Sequence, residues 1–187
     1  MAEVLLFHHV HGLTAGCLAF AEDLRKAGHT VHTPDLYEGK TFADLADGKA
    51  YVRELGLETF VDRGRAAAEE LDVGIVYAGF SAGVLPAQLL AQTRPGAKGA
   101  LLMHSAIPPA EFGEGWPAGL PGQIHTMDGD ALGDLDVARE LAADTPEVEL
   151  FLYPGDKHLF SDSGLPDYDR AATDVLKQRV LAFLDAV

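Results

Sequence analysis

Cysteine is nearly absent from the sequence. The one cysteine, Cys17, excludes a disulfide within the chain and provides no Cys–Cys or Cys–His spacing that would suit zinc. Long apolar runs are missing too, since no stretch approaches the roughly 20 residues that a membrane-spanning helix needs. The start, Met1-Ala2-Glu3, is acidic and does not resemble a signal peptide. We therefore expect a cytoplasmic protein that has no disulfide framework.

Basic residues are scarce as well. The chain has 14 Lys and Arg residues against 29 Asp and Glu residues, which gives a formal net charge of -15. Nucleic acids and anionic membranes would repel a chain of this charge, so we expect neither as a partner. An anionic substrate would need a local positive pocket. No feature marks an obligate interface, and we expect a monomer or a weak homodimer.

Short apolar runs alternate with segments of helical periodicity along the chain, and neither a linker nor an internal repeat interrupts them. Its 187 residues fit a single domain, 1–187. Predicted strands are 4–8, 30–33, 73–78, 99–104, 123–127 and 148–153. Predicted helices are 15–27, 57–71, 84–93, 135–143 and 168–185, with short helices in 42–56. This alternation predicts an α/β fold in three layers: a mostly parallel sheet of about six or seven strands with helices on both faces.

One stretch, Gly79-Phe80-Ser81-Ala82-Gly83, lies between the third predicted strand and a helix. A serine on so tight a turn needs small neighbours, and the turn lifts its hydroxyl clear of the sheet. The helix that follows directs its free amide groups and positive dipole end to the same place. The alternative is a turn whose small residues serve only to pack the helix against the sheet.

Two further residues complete a candidate catalytic set. In α/β-hydrolases the order along the chain is serine, acid, histidine, with the last two on loops after later strands. Asp130 follows the fifth predicted strand and His158 follows the sixth. An imidazole would take the proton of Ser81 and later pass it to the leaving group, while a carboxylate orients the imidazole. Asp128 is the alternative acid, because several carboxylates crowd this loop.

The first loop carries the cluster His8-His9-Val10-His11. Histidines can bind metals, but no carboxylate or cysteine lies near them in the sequence, so we predict no metal site. We expect the loop to line the site instead, with His9 as a pocket residue. The backbone amides of Val10 and Ala82 would then form an oxyanion hole.

Two more residues are candidates for the pocket lining. His104 ends the fourth predicted strand, although a strand-end histidine that bonds to backbone is an equal alternative. Trp116, the only tryptophan, lies in a long irregular segment rich in proline, and such loops are often functional. It would cover the cleft as an apolar wall or serve as a core anchor.

Together these residues resemble the dienelactone hydrolase family of α/β-hydrolases. The resemblance covers nearly the whole chain, and its most specific parts are Pro34-Asp35-Leu36-Tyr37 after the second predicted strand and Tyr153-Pro154-Gly155 before His158. It implies the α/β-hydrolase fold. It assigns Ser81, Asp130 and His158 to the triad and the amides of Val10 and Ala82 to the oxyanion hole, and it implies that no cofactor is needed.

The sequence departs from that family at three positions. Members that open dienelactones typically have cysteine as the nucleophile, a glutamate in the first loop and an arginine shortly after the histidine. This chain has Ser81, His9 and Asp162 at those places. The differences point to a serine esterase that cleaves a small carboxylic ester or lactone without the anionic group. A thioesterase or acyl transferase with the same triad, and a non-catalytic binding protein of the same fold, are the alternatives.

Overall fold

A single parallel sheet forms the centre of the molecule. The computed structural model describes residues 1–187. The strands are β1 Glu3–Phe7, β2 Thr30–His32, β3 Val76–Phe80, β4 Gly99–Met103, β5 Gly122–Met127 and β6 Val148–Tyr153. Every pair is parallel, and the order across the sheet is β2-β1-β3-β4-β5-β6. All residues of the central strands β3, β4 and β5 are buried, which explains why the sequences of β3 and β4 show no polar alternation.

Helices cover both faces of this sheet. They are α1 Ala15–Lys26, α2 Leu45–Leu55, α3 Leu57–Glu69, α4 Val84–Thr93, α5 Leu135–Asp144 and α6 Arg170–Ala186. Helices α1 and α6 pack on one face, and α2, α3, α4 and α5 contribute to the core on the other. The prediction of a parallel sheet between two helical layers is therefore confirmed. None of these helices combines the length and the apolar character that crossing a bilayer requires.

The sheet reverses its winding direction between β1 and β3. From β1 the chain moves outward to β2, and it then returns to place β3 on the other side of β1. Loops that leave the carboxyl ends of two such strands diverge and leave a crevice, which is where open α/β sheets bind ligands. The loop after β1 and the turn after β3 therefore meet at the place where the candidate residues were predicted.

Several element boundaries differ from the prediction. The strand before the tight turn 79–83, which we call the elbow, was predicted at 73–78, but β3 runs from Val76 to Phe80, directly into that turn at Ser81. The segment 42–56 contains one helix, α2, instead of several short ones. The segment predicted as irregular, 105–122, is so up to 121, apart from a single 3₁₀ turn at Pro109–Phe112, and β5 begins at Gly122.

Candidate active site

The turn between β3 and α4 holds Ser81 in a strained conformation. Its φ is 48°, in the left-handed region that residues with a Cβ rarely adopt. A Cβ on Gly79 would collide with the backbone of Gly83, and one on Gly83 would lie 2.5 Å from the carbonyl oxygen of Phe7. Glycine is therefore required on both sides of the serine, and the same close packing presses the turn against the end of β1.

Ser81, His158 and Asp130 form a continuous chain of hydrogen bonds. The Oγ of Ser81 lies 2.8 Å from Nε2 of His158, and Nδ1 of His158 lies 2.8 Å from Oδ2 of Asp130. His158 is 8% exposed and Asp130 5%. The Asp130 carboxylate accepts a hydrogen bond from the Nδ1–H group of His158. In the neutral ring Nε2 is then left free to accept the hydroxyl proton of Ser81.

The two candidate acids have separate positions. Oδ1 of Asp130 accepts a hydrogen bond from the amide of Leu132 at 2.9 Å, which holds the carboxylate towards His158. Asp128 is exposed, and its Oδ1 instead accepts the amide of Gly155 at 3.0 Å. Asp128 thus braces the loop that precedes His158, and the structure brings Asp130 to the ring.

The first loop lies against the elbow. A Cβ on Gly83 would be 2.6 Å from the carbonyl oxygen of His8, so the loop after β1 and the start of α4 are in close contact. The amide of Val10 donates no hydrogen bond within the chain. Val10 is 8% exposed, and amides within a fold are nearly always paired, so this unpaired one could donate to a bound oxygen.

A buried cluster beneath this loop joins it to the histidine loop. Oδ2 of Asp162 accepts a hydrogen bond from Nε2 of His9 at 2.7 Å and one from the hydroxyl of Thr14. The other nitrogen of His9, Nδ1, accepts the amide of His11 at 3.3 Å. Oδ1 of Asp162 accepts the amide of Gly164 at 2.7 Å. Asp162 is 3% exposed, so this cluster ties the loop after β1 to the loop after β6 from inside the protein.

The protonation states of the cluster follow from its burial. Burial lowers the pKa of His9, and the bond to Asp162 does not cancel that effect, so the ring is neutral. Burial raises the pKa of Asp162, but the hydrogen bonds from His9, Thr14 and Gly164 outweigh it and hold that pKa below its ordinary value. Burial also raises the pKa of the neighbouring Cys17 thiol to about 12. The cluster is therefore a carboxylate surrounded by neutral donors.

No carboxylate or cysteine lies near His9 along the chain. In space, Cys17 and Asp162 do reach His9, and one donor atom of each lies within 4.8 Å of the others. Here Nε2 of His9 bonds directly to Oδ2 of Asp162, and Sγ of Cys17 lies 3.3 Å from the same nitrogen. The hydrogen bonds that His9 and Asp162 already make account for their proximity.

The three predicted pocket residues do not line the cavity at Ser81. His9 is fully buried in the cluster around Asp162, and His104 is fully buried behind His158, with its Nε2 2.6 Å from the Oγ of Ser161. Trp116 packs against the core and lines a separate concavity beside α5. His9 and His104 follow strand ends and Trp116 lies in an irregular segment, as predicted, but their side chains turn inward or towards another surface.

Apart from Ser81 and Ala82, the cavity at Ser81 is formed by residues that were not among the candidates predicted from the sequence. It has a volume of about 280 Å³. Its lining residues are Leu57, Phe60, Ser81, Ala82, Leu85, Ser105, Ile107, Leu132 and Asp134. Five of these are large apolar residues from α3, α4 and two loops, and no lysine or arginine is among them. Leu57 begins α3 and Leu85 lies in the first turn of α4, and apolar periodicity alone does not distinguish a pocket residue from a packing residue there.

Comparison with known proteins decides the family. A model of the dienelactone hydrolase family matches residues 1–187. The chain belongs to the dienelactone hydrolase family. No curated protein matches it closely enough to count as a relative. The resemblance seen in the sequence is therefore confirmed.

Solved structures of this family and its neighbours have the same fold. A candidate dienelactone hydrolase from Klebsiella pneumoniae is 18% identical, with a TM-score of 0.77 over 100% of this chain and 88% of its own. The dienelactone hydrolase of Anabaena variabilis is 17% identical, with a TM-score of 0.71 over 100% and 86%. A dienelactone hydrolase-like promiscuous phosphotriesterase from metagenomic libraries is also 17% identical, with a TM-score of 0.75 over 100% and 86%. At these identities the likeness establishes the α/β-hydrolase fold.

Proposed function

We propose that this dienelactone hydrolase family member is a serine esterase that cleaves small carboxylic esters or lactones through an acyl-serine intermediate. The observation that carries the proposal is the hydrogen-bond chain from Ser81 through His158 to Asp130, with both links at 2.8 Å. A serine hydroxyl is a weak nucleophile at neutral pH, and a base within hydrogen-bond reach is what activates it.

The reaction divides into two steps. Oγ of Ser81 attacks the carbonyl carbon while its proton moves to Nε2 of His158, and Asp130 stabilises the imidazolium that results. The bond to the leaving oxygen then breaks, and His158 protonates that oxygen. In the second step a water molecule loses a proton to His158, attacks the acyl-serine and releases the acid, which restores the Ser81 hydroxyl.

Charge develops on the carbonyl oxygen in both steps. The unpaired amide of Val10 and the amide of Ala82, at the start of the helical turn after Ser81, are the donors that we assign to it. The helix that begins at the elbow adds the positive end of its dipole. Donors of this kind act mainly on the transition state, because the oxygen carries its full charge only there.

The lining of the cavity supports a neutral acyl group. Its five large apolar side chains suit an alkyl or small aryl group, and a volume of about 280 Å³ favours a small one. Asp134 is the only charged residue in the lining, and its carboxylate accepts the hydroxyl of Ser105 at 2.7 Å. With no cation to bind a carboxylate, an anionic lactone would be a poor substrate.

Steady-state kinetics on p-nitrophenyl acetate and butyrate test the proposal. We expect Ser81→Ala and His158→Ala each to reduce kcat/KM by at least about 10⁴-fold, because the nucleophile and its base act as a unit. Ser163→Ala, at an exposed serine on the loop after His158, is the matched control and should retain full activity. Activity retained in folded Ser81→Ala would exclude the acyl-serine mechanism. Parallel assays with butyryl thioesters distinguish an esterase from a thioesterase.

A further inference from the structure

A second cavity, separate from the apolar one, is lined in part by His158. It has a volume of about 210 Å³ and shares no lining residue with the cavity at Ser81. Three loops form it, and its lining residues are His11, Ala43, Asp44, Leu45, His158, Leu159, Leu165, Pro166 and Asp167. The hydrogen bond between Ser81 and His158 therefore joins a residue of one cavity to a residue of the other.

The role of His158 indicates which part of the substrate, the acyl group or the leaving group, each cavity would hold. Under the proposed mechanism its Nε2 delivers a proton to the leaving oxygen, so the leaving group must lie next to the imidazole. The acyl group stays with Ser81 and Ala82, which line the apolar cavity. The second cavity is then on the leaving-group side, and this assignment rests on the proposed function.

His11 presents a free hydrogen-bond acceptor to this second cavity. The residue is only 5% exposed, and its ring contributes to the lining. Nδ1 lies 2.9 Å from the carbonyl oxygen of Phe42, which can only accept, so Nδ1 carries the proton. In the neutral ring that leaves Nε2 as an acceptor, and Nε2 has no partner within the chain. Because this nitrogen is not among the fully buried atoms, it is accessible to a ligand that brings an N–H or O–H donor.

The charges around the cavity favour a cation. Asp44 and Asp167 lie at its exposed rim, and neither forms an ion pair with a lysine or arginine. No lysine or arginine is among the lining residues. We propose that this cavity binds the leaving group of the substrate, and that it selects an alcohol bearing a protonated amine whose N–H donates to Nε2 of His11.

The kcat/KM values of three butyrate esters of nearly equal shape separate the effect of the leaving group's charge from the effect of its hydrogen bond. The 3,3-dimethylbutyl ester is neutral, the choline ester carries a fixed charge without an N–H, and the 2-(dimethylamino)ethyl ester carries the charge together with one N–H at pH 7. Each enzymatic kcat/KM is divided by the rate of hydroxide hydrolysis of the same ester, which removes the difference in leaving-group reactivity. For the native protein we expect the choline ester to exceed the neutral ester about threefold, as for exposed charges. The dimethylaminoethyl ester should exceed choline by a further fivefold or so, as for one hydrogen bond.

Two substitutions assign these preferences to residues. In His11→Asn the side-chain amide still reaches the Phe42 carbonyl but nothing replaces Nε2, so the preference for the dimethylaminoethyl ester over choline should fall to about one. Asp167→Asn should reduce the preference for choline over the neutral ester. Asp136→Asn, at an exposed residue on α5, is the control and should leave both ratios unchanged.

The outcomes distinguish the subsite from the proposed function. If the native protein hydrolyses p-nitrophenyl butyrate and the neutral ester but shows no preference among the three, the subsite assignment is wrong and the esterase proposal stands. Ratios that persist in folded His11→Asn would also overturn the role of His11. If the native protein hydrolyses none of the esters, both proposals fail. The ratios measured on the native protein decide the matter even if a variant does not fold.

Discussion

Asp162→Asn tests whether the buried cluster positions the active-site loops. The carboxylate accepts His9 and Thr14 on one oxygen and Gly164 on the other, and an amide of the same size has to place its NH₂ group against at least one of these donors. A hydrogen bond to a buried charged group is worth about 1.5–3 kcal/mol, and part of that loss is offset because a neutral amide is easier to bury.

We therefore expect Asp162→Asn to lower the free energy of unfolding by about 3 kcal/mol. For a chain of 187 residues this corresponds to a fall in Tm of about 9 °C. Because the same cluster holds the loop that presents the Val10 amide, kcat on p-nitrophenyl butyrate should fall about tenfold below the unfolding temperature, with KM changed less than twofold.

Matched variants separate positioning from simple destabilisation. In His9→Gln the side-chain amide can still donate to Asp162, so this variant should retain most of the kcat that Asp162→Asn loses. Asp156→Asn, at an exposed residue of the loop before His158, should leave both Tm and kcat unchanged. A Tm within 2 °C or so of the native value together with native kcat in Asp162→Asn would show that the cluster does not position the loop.

Two further predictions concern the acid and the pH dependence. Asp130→Asn should reduce kcat about 10³- to 10⁴-fold because the tautomer of His158 is no longer fixed, whereas Asp128→Asn should reduce it less than threefold; equal losses in the two would contradict the assignment of the acid. Burial lowers the pKa of His8 to about 4 and of His125 to about 3, so both are neutral in the folded protein yet titrate near 6.5 once unfolded. The unfolded chain then binds more protons below pH 6.5, and each of these histidines should cost about 1 kcal/mol of stability between pH 6.5 and 5.5. Urea unfolding at the two pH values measures the loss, and a protein equally stable at both would refute it.

The elbow and the layered fold were accessible from the sequence because their signals are local. Gly79, Ser81 and Gly83 stand within five residues, and the collisions that a Cβ would cause at the two glycines explain the pattern directly. His158 and Asp130 were found from their positions after successive strands, because parallel strands bring their carboxyl ends to one edge.

The surroundings of these residues could not be predicted, because they depend on contacts between distant segments. His9 and Asp162 are separated by 153 positions, and nothing near His9 in the sequence indicates a carboxylate partner. A residue at a strand end turns towards solvent or towards the core, and the apolar periodicity that marks a strand does not distinguish the two for His104. Trp116 lies in a segment without periodicity, so its burial against the core depended on packing alone.

Labelling by a fluorophosphonate tests the central claim most directly, since the reagent phosphonylates only a serine activated by a neighbouring base. The native protein at pH 7.5 should gain one phosphonyl group, located by mass spectrometry on the peptide that contains Ser81. Labelling should be lost in Ser81→Ala, be strongly slowed in His158→Ala and be unchanged in Ser163→Ala. A folded native protein that stays unlabelled, or that is labelled on a serine other than Ser81, would contradict the account.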